Sequence, residues 1–189
     1  MVTIRTRRAL MALGLVLATI WSAPIWSTPG QAASAGAINA DVNATMQKFE
    51  MKVRSGYDLA SRAAGILVFP SVVKAGFVVG GEYGEGALLV GGRPVAYYNT
   101  ISASIGFQLG AQARSVIIMF MTPEALANFR NKQGWKVGVD GSVALVTLGV
   151  GGAIDTNTIN KPVIGFILDG KGLMYNLTLE GSKISRIDR

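Results

Sequence analysis

Few residues of this 189-residue sequence could carry out chemistry, because it contains no histidine and no cysteine. The side chain best suited to proton transfer near neutral pH and the thiolate nucleophile are therefore both missing. Two carboxylates, Glu82 and Glu85, stand three positions apart among glycines, and such a pair could serve acid–base catalysis. In a strand and turn segment the two need not meet, so solvated turn residues are the favoured interpretation. We predict no catalytic residue and no enzymatic activity.

The glycine-rich stretch 72–92 raises the alternative of a loop that binds phosphate, since seven of its 21 residues are glycine. A phosphate loop needs a lysine directly after its glycines, but the next basic residue after Lys74 is Arg93. The dinucleotide pattern G-x-G-x-x-G, which Gly84 would begin, breaks at Leu89. We therefore predict that these glycines form turns, bulges and close strand contacts in a curved sheet, and that no cofactor binds.

The first 35 residues have the plan of a secretory signal peptide. They hold three arginines, no acidic residue, an apolar run too short to span a bilayer comfortably, and small residues at cleavage positions. We expect cleavage after Ala33 or Ala35, with Ala32 as a further candidate, and export to the periplasm, to the outer membrane or out of the cell. The general secretion route is favoured over the twin-arginine route. An uncleaved membrane anchor is the alternative.

The part that would remain after processing, residues 36–189, reads as a single domain with a modest positive charge. Removal of residues 1–35 leaves 15 basic and 11 acidic residues, a net charge of +4 that is evenly spread. This charge suits an anionic membrane surface, but nucleic-acid binding usually requires a dense basic stripe, so no nucleic-acid partner is predicted. The acidic residues Asp140, Asp155 and Asp169 are typical turn caps, and no calcium-loop pattern or other metal site is present.

A helical period runs from Ala37 to about Ala64. A break or kink is expected at Gly56, and Lys48 and Lys52 lie off the apolar stripe. Two interpretations are open: the stripe packs on the rest of the domain, or part of this basic amphipathic segment contacts lipid. The stripe consists of Val42, Met46, Phe49, Val53, Tyr57, Ala60 and Ala64.

From Gly65 onward the pattern changes to short apolar or alternating runs separated by glycine, which predict strands and turns. One short helix is expected within them at TPEALANFRNK, where Thr122 is a natural N-cap and Pro123 occupies the first helical position. The predicted fold class is α+β: an N-terminal helical segment packed on a strongly curved, mostly antiparallel, glycine-rich sheet with one short inserted helix. Trp135 is predicted to be a core residue rather than a membrane-interface residue, and one of Tyr97 and Tyr98 is expected to point inward.

Several ordered motifs of the chain resemble the SYLF domain family in its exported bacterial branch. They are AAGILVFPSVVKAGFVVGGEYGEGALLVGG, YYNTISASIGFQLGAQARSVIIMFMTPEAL, GWKVGVDGSVALV and LMYNLTLEGSKI, and they extend from about Ala60 to Ile187. The resemblance implies a lipid- or membrane-binding module rather than an enzyme. It places lipid binding in the N-terminal amphipathic segment, here MQKFEMKVRSGY, with an anionic phospholipid or membrane surface as partner. The candidate residues are Lys48, Phe49, Lys52, Val53 and Arg54.

Three functions from different classes remain open on the sequence. The first is an exported lipid-binding module of the bacterial envelope. The second is a structural or envelope-stress protein that acts through contacts with a protein partner or with itself. The third, an enzyme, would need a cluster of polar side chains in a concave site.

Overall fold

The structure is a computed structural model that describes residues 33–76, 79–105, 112–146, 156–169 and 179–189. Most of the predicted signal peptide lies outside these residues, as does Asp155. The helices of the described part are α1 (Ala35–Lys52), α2 (Gly56–Arg62), α3 (Pro123–Arg130) and the single turn α4 (Thr156–Ile159). The strands are β1 (Gly65–Gly76), β2 (Val79–Val90), β3 (Arg93–Ile105), β4 (Gln112–Phe120), β5 (Trp135–Lys136), β6 (Ala144–Leu145), β7 (Val163–Leu168) and β8 (Lys183–Ile187).

The described strands form one sheet in the order β5-β8-β3-β2-β1-β4-β7-β6. Every pairing is antiparallel except that of β6 with β7. The sheet is strongly curled and the N-terminal helix packs on it, so the predicted α+β fold is confirmed. Both outermost strands are only two residues long. Short edge strands offer few unpaired backbone groups to another chain.

A bulge in β1 helps to bend the sheet. The pairing of β1 with β2 and with β4 shifts register around Phe69, Pro70 and Ser71. Proline has no N–H to donate to a ladder, and its carbonyl oxygen here accepts a hydrogen bond from the Ser115 hydroxyl at 2.7 Å. Gly86 lies opposite this bulge, and a Cβ atom at Gly86 would overlap the carbonyl oxygen of Val68. The predicted role of glycine in close strand contacts is therefore confirmed at this position.

Other glycines of the same stretch have different roles. Gly91 and Gly92 form the turn between β2 and β3 with φ of 57° and 76°, values that favour glycine. Gly81 has no positive φ, and the nearest atom to an added Cβ would be the Ser102 oxygen at 3.8 Å. Neither the backbone conformation nor a close contact therefore requires glycine at position 81.

The two faces of the sheet carry separate apolar clusters. One face packs against α1 and α2, and its cluster includes Phe49, Val68 and Phe166. The other face holds the aromatic side chains of α3 and β5, where Phe129 contacts Phe120, Trp135 and Tyr98 at ring-centroid distances of 4.7, 5.5 and 5.0 Å. Trp135 is 3% exposed, which confirms it as a core residue.

Two helices begin at side-chain caps, and the cap of α3 was predicted from the sequence. The Thr122 hydroxyl oxygen accepts a hydrogen bond from the Ala125 N–H at 3.2 Å at the start of α3, as predicted. The Ser34 hydroxyl oxygen accepts one from the Ala37 N–H at 3.2 Å at the start of α1. Ser34 was expected to lie in or beside the leader, and its capping role depends on where processing takes place.

Candidate lipid-binding site

The apolar stripe predicted from Val42 to Ala64 belongs to two helices. α1 ends at Lys52, and α2 begins at Gly56 after a short turn. Glycine fits there because a Cβ at Gly56 would lie 3.1 Å from both the Glu50 Cα and a Phe49 ring carbon. The turn changes the helical phase, so Tyr57, which was predicted on the buried stripe, is 70% exposed. The break expected at Gly56 is confirmed, and Tyr57 is not buried with the rest of the stripe.

The turn between α1 and α2 presents apolar and basic side chains together. Met51, at the end of α1, is 80% exposed, and Tyr57 stands at the start of α2. Between them in sequence, Lys52 and Arg54 are also exposed. We call these four residues, Met51, Lys52, Arg54 and Tyr57, the helix corner. Exposed apolar side chains with cations beside them in the chain can enter the interface of an anionic bilayer.

Phe49 and Val53, two of the five predicted lipid-binding residues, lie in the core. Both are 0% exposed, and the Phe49 ring meets the Phe166 ring edge to face. Neither side chain can reach a membrane while α1 stays packed on the sheet. Lys48 is half-buried on the flank of α1, about one turn before Lys52. The structure therefore keeps the predicted basic residues on the surface and separates them from the predicted apolar ones.

An open cleft of about 520 Å³ lies beside the helix corner. This volume is within the range of small-molecule sites, roughly 300–1,000 Å³. Its lining comes from both helices and from the sheet and includes the polar side chains of Asn43, Gln47, Glu50 and Ser61 as well as apolar ones. Tyr57 belongs to the helix corner as well as to the cleft. The lining residues include Met46, Tyr57, Ala60, Ile66 and Leu89.

The two carboxylates considered for acid–base catalysis bind different partners. Glu82 accepts hydrogen bonds from Arg114 at 2.5 and 3.2 Å and from the Ser102 hydroxyl at 3.1 Å. The side chains of Glu82 and Arg114 are only 10% and 15% exposed. The Nε atom of Arg114 is buried and has no hydrogen-bond partner within the described residues. Glu82 therefore belongs to an internal ion pair.

Glu85 is at the centre of a second polar cluster. Its Oε1 atom accepts hydrogen bonds from the Tyr83 hydroxyl at 2.6 Å and from Arg189 at 2.5 Å. Burial works against ionisation of Glu85, but these two hydrogen bonds outweigh it and hold the pKa of the carboxyl below its ordinary value. Glu85 in turn raises the pKa of the Tyr83 hydroxyl by accepting its hydrogen bond. Glu82 and Glu85 are thus committed to separate ion pairs.

Across residues 33–76, 79–105, 112–146, 156–169 and 179–189, no group of three or more acidic, histidine or cysteine side chains is placed to hold a metal ion. None of the helices in this part of the chain has the length and apolar character needed to span a membrane.

Comparison with known proteins identifies the family of the C-terminal part. Residues 101–188 match the family model Ysc84, described as "Las17-binding protein actin regulator". This model represents the SYLF domain family, so the predicted resemblance is confirmed for residues 101–188. It is a family of lipid-binding, actin-regulator-like domains, consistent with non-enzymatic binding. No curated protein matches the chain. The helix corner precedes the matched residues.

The apolar half of the helix corner could not be read from the stripe pattern. Met51 is off the stripe, and Tyr57 is on it only if one helix continues through Gly56. The sequence signal that bears on Tyr57 is Gly56, where a break or kink was expected. A break in the helix leaves the direction of the side chains that follow it undefined. The assignment of Lys48, Lys52 and Arg54 to lipid binding stays a prediction.

Proposed function

We propose that this protein is a non-enzymatic lipid-binding module that docks on anionic membrane surfaces through the helix corner. The observation that carries the proposal is the exposure of Met51 and Tyr57, at 80% and 70%, next to the exposed cations Lys52 and Arg54. Exposed apolar side chains that lie on one short turn beside cations are candidates for a membrane-contact patch.

The two kinds of side chain contribute to binding in different ways. Lys52 and Arg54 attract anionic headgroups, and each basic residue near such a surface contributes about 1 kcal/mol. Met51 and Tyr57 then enter the interface, where Tyr keeps its hydroxyl in the polar layer. The core need not open, because these side chains are already outside it.

The cleft beside the corner extends the same proposal to a single lipid. Its apolar lining from Met46, Ala60 and Leu89 suits an acyl chain, and Tyr57 connects it with the membrane-facing corner. A larger side chain in the cleft tests this role: Ala60→Phe should reduce binding of a fluorescent fatty acid. The control variant Ala44→Phe, on the exposed surface of α1, should leave this binding unchanged.

The N-terminal sequence supports a place of action in the bacterial envelope. A tripartite leader over residues 1–35 supports export to the periplasm or the outer membrane, or secretion. Anionic phospholipid in the bacterial envelope would then be the partner. Processing and localisation are part of the proposal.

Vesicle co-sedimentation tests the membrane contact. The processed protein should sediment with phosphatidylglycerol vesicles at low salt, and less with phosphatidylcholine vesicles. Met51→Ser with Tyr57→Ser should abolish most of this binding. The matched control is Val95→Ser with Val139→Ser, since Val95 and Val139 are apolar residues exposed to 46% and 74% elsewhere. A wild type that ignores both vesicles at low salt would contradict the proposal.

A specific surface supports a second function through protein contacts. Val73, Tyr83 and Ile101 are register partners on β1, β2 and β3, and they form an apolar row exposed to 40%, 48% and 51%. The family description names a protein partner. If the protein does not bind vesicles, sedimentation velocity of the wild type and of Tyr83→Ser tests self-association. A concentration-dependent dimer that forms in the wild type and is lost in the variant would support this function.

A further inference from the structure

Two buried oxygen atoms on the α1 face of the sheet lack hydrogen bonds. They are Oε2 of Glu85 and Oδ1 of Asn99, and neither has a partner among the described residues. Glu85 and Asn99 are register partners on β2 and β3, so their side chains leave the sheet side by side. Buried acceptors without donors are rare, and each such atom calls for an explanation.

The other members of the cluster are already engaged. Tyr83 donates to Oε1 of Glu85, Arg189 pairs with the same oxygen, and the Asn99 side chain hydrogen-bonds the Tyr83 hydroxyl. What the two remaining oxygens lack is a compact donor with several N–H groups. A primary ammonium group fits this description, because it carries three donors and a positive charge.

One backbone N–H that interacts with the Glu85 carboxylate belongs to Ala33, just before α1. Its N–H faces the Glu85 carboxylate closely enough to favour the ionised form, although it makes no hydrogen bond of good geometry to Oε2. Ala33 also follows a candidate cleavage position, since Gly30 and Ala32 are small residues two apart in the leader. Cleavage after Ala32 would make the nitrogen of Ala33 the new N-terminus.

We propose that the Glu85–Asn99 pair is the seat of the processed N-terminus, with Ala33 as the first residue and its α-ammonium group bound between the two oxygens. Hydrolysis of the Ala32–Ala33 bond by a leader peptidase consumes one water. The departing leader keeps the new carboxylate, and the amine left on Ala33 takes up a proton. The charged nitrogen then lies beside a carboxylate that has one oxygen to spare.

The cap of α1 supports cleavage at this position. Ser34 accepts the hydrogen bond of the Ala37 N–H, and replacing such a cap costs about 1 kcal/mol. Cleavage after Ala35 would remove Ser34 and leave Gly36 inside the first turn of the helix. Cleavage after Ala32 keeps the cap and adds an ion pair that ties the start of the domain to Arg189 through Glu85.

Two measurements on the protein produced from its full chain and processed in a bacterial host test this site. Intact-mass analysis should give a first residue of Ala33. The pH dependence of α-amine acylation should show that the pKa of this amine lies about 1 to 3 pH units above its ordinary value of about 8, as expected beside a carboxylate. Tyr83 and Arg189 are the other titratable groups that interact with Glu85, and they are present in both proteins compared below.

The isosteric variant Glu85→Gln removes the negative charge and should return the α-amine to its ordinary pKa. Glu50→Gln, the same change at an exposed position of α1, should leave the raised pKa unchanged. A first residue other than Ala33, or a wild-type α-amine with an ordinary pKa, would overturn the proposal. The wild-type titration decides the matter even if Glu85→Gln fails to fold.

Discussion

The ring of Phe49 in α1 meets the ring of Phe166 in β7 edge to face, with centroids 4.7 Å apart and an interplanar angle of 65°. This contact joins the N-terminal helix to β7, a strand near the C-terminal end of the chain. Val42 and Val53 are buried in the same cluster. The apolar stripe of α1 is therefore part of the core. Only the α1 side chains that lie outside the core are available for contact with a membrane.

Phe49→Ala should lower the free energy of unfolding by about 3–5 kcal/mol, because it removes a fully buried aromatic side chain and leaves a cavity. Met51→Ala, two positions later but 80% exposed, should change it by less than about 0.5 kcal/mol. Urea denaturation followed by far-ultraviolet circular dichroism measures both. Similar small losses in the two variants would show that α1 is not packed as described.

Gly86→Ala should destabilise the protein by about 3 kcal/mol or more, since a Cβ there overlaps the Val68 carbonyl at the β1 bulge. Gly81→Ala is the matched control on the same strand. An added Cβ at Gly81 meets nothing closer than 3.8 Å, so a change within about 0.5 kcal/mol is expected. Melting temperatures of the pair provide the comparison. Equal effects would mean that strand propensity, and not the close contact, decides.

The sequence predicted the fold well where local signals and burial agree. Thr122 and Pro123 mark the start of α3, and alternating runs mark the strands, because capping and side-chain alternation are local properties. The bulge at Pro70 and the requirement for Gly86 could not be located, since both depend on which residues face each other across β1 and β2.

The candidate site was predicted in part for the same reason. Lys52 and Arg54 carry charge and were expected outside, which needs no knowledge of packing. Phe49 and Tyr57 have equal apolar character in the sequence, yet one is 0% and the other 70% exposed. Their exposure differs because the turn between α1 and α2 changes the direction in which the following side chains point. The apolar period of the sequence does not show this change.

Glu82→Gln should destabilise the protein by roughly 3–5 kcal/mol, because it leaves the largely buried Arg114 guanidinium without its counter-charge. The double variant Glu82→Leu with Arg114→Leu removes both charges and should recover much of that loss. Denaturant midpoints of the single and double variants make the comparison. A double variant no more stable than Glu82→Gln would contradict the interpretation that the cost arises from an unpaired buried charge.

Acid should remove the stabilisation that Glu85 provides. The pKa of its carboxyl in the folded protein is below the ordinary value of 4.5, so the folded state favours the ionised form. Its contribution is therefore complete above pH 4.5 and is lost as the pH falls through the folded-state pKa. The stability difference between wild type and Glu85→Gln should shrink over that interval. The same stability difference measured for Glu50→Gln is the control. If the stability difference between wild type and Glu85→Gln grew as the pH fell, the pKa of Glu85 would be raised and not lowered in the folded protein.

Reversing the charge of Lys48 and Lys52 should release the protein from anionic vesicles. The two residues are one helical turn apart on α1, with Lys52 in the helix corner and the half-buried Lys48 before it, and neither belongs to the core. With about 1 kcal/mol for each basic residue near the surface, loss of both lowers affinity by at least about tenfold, and the two introduced acids add repulsion. Lys136→Glu with Lys161→Glu makes the same charge change at exposed positions away from α1 and should have a much smaller effect. Raising the salt concentration from about 0.05 to about 0.5 M shortens the screening length from about 14 to about 4 Å. Wild-type binding should therefore weaken over the same range. If both charge reversals weaken binding equally, only the net charge of the domain matters and the helix corner is not the docking surface.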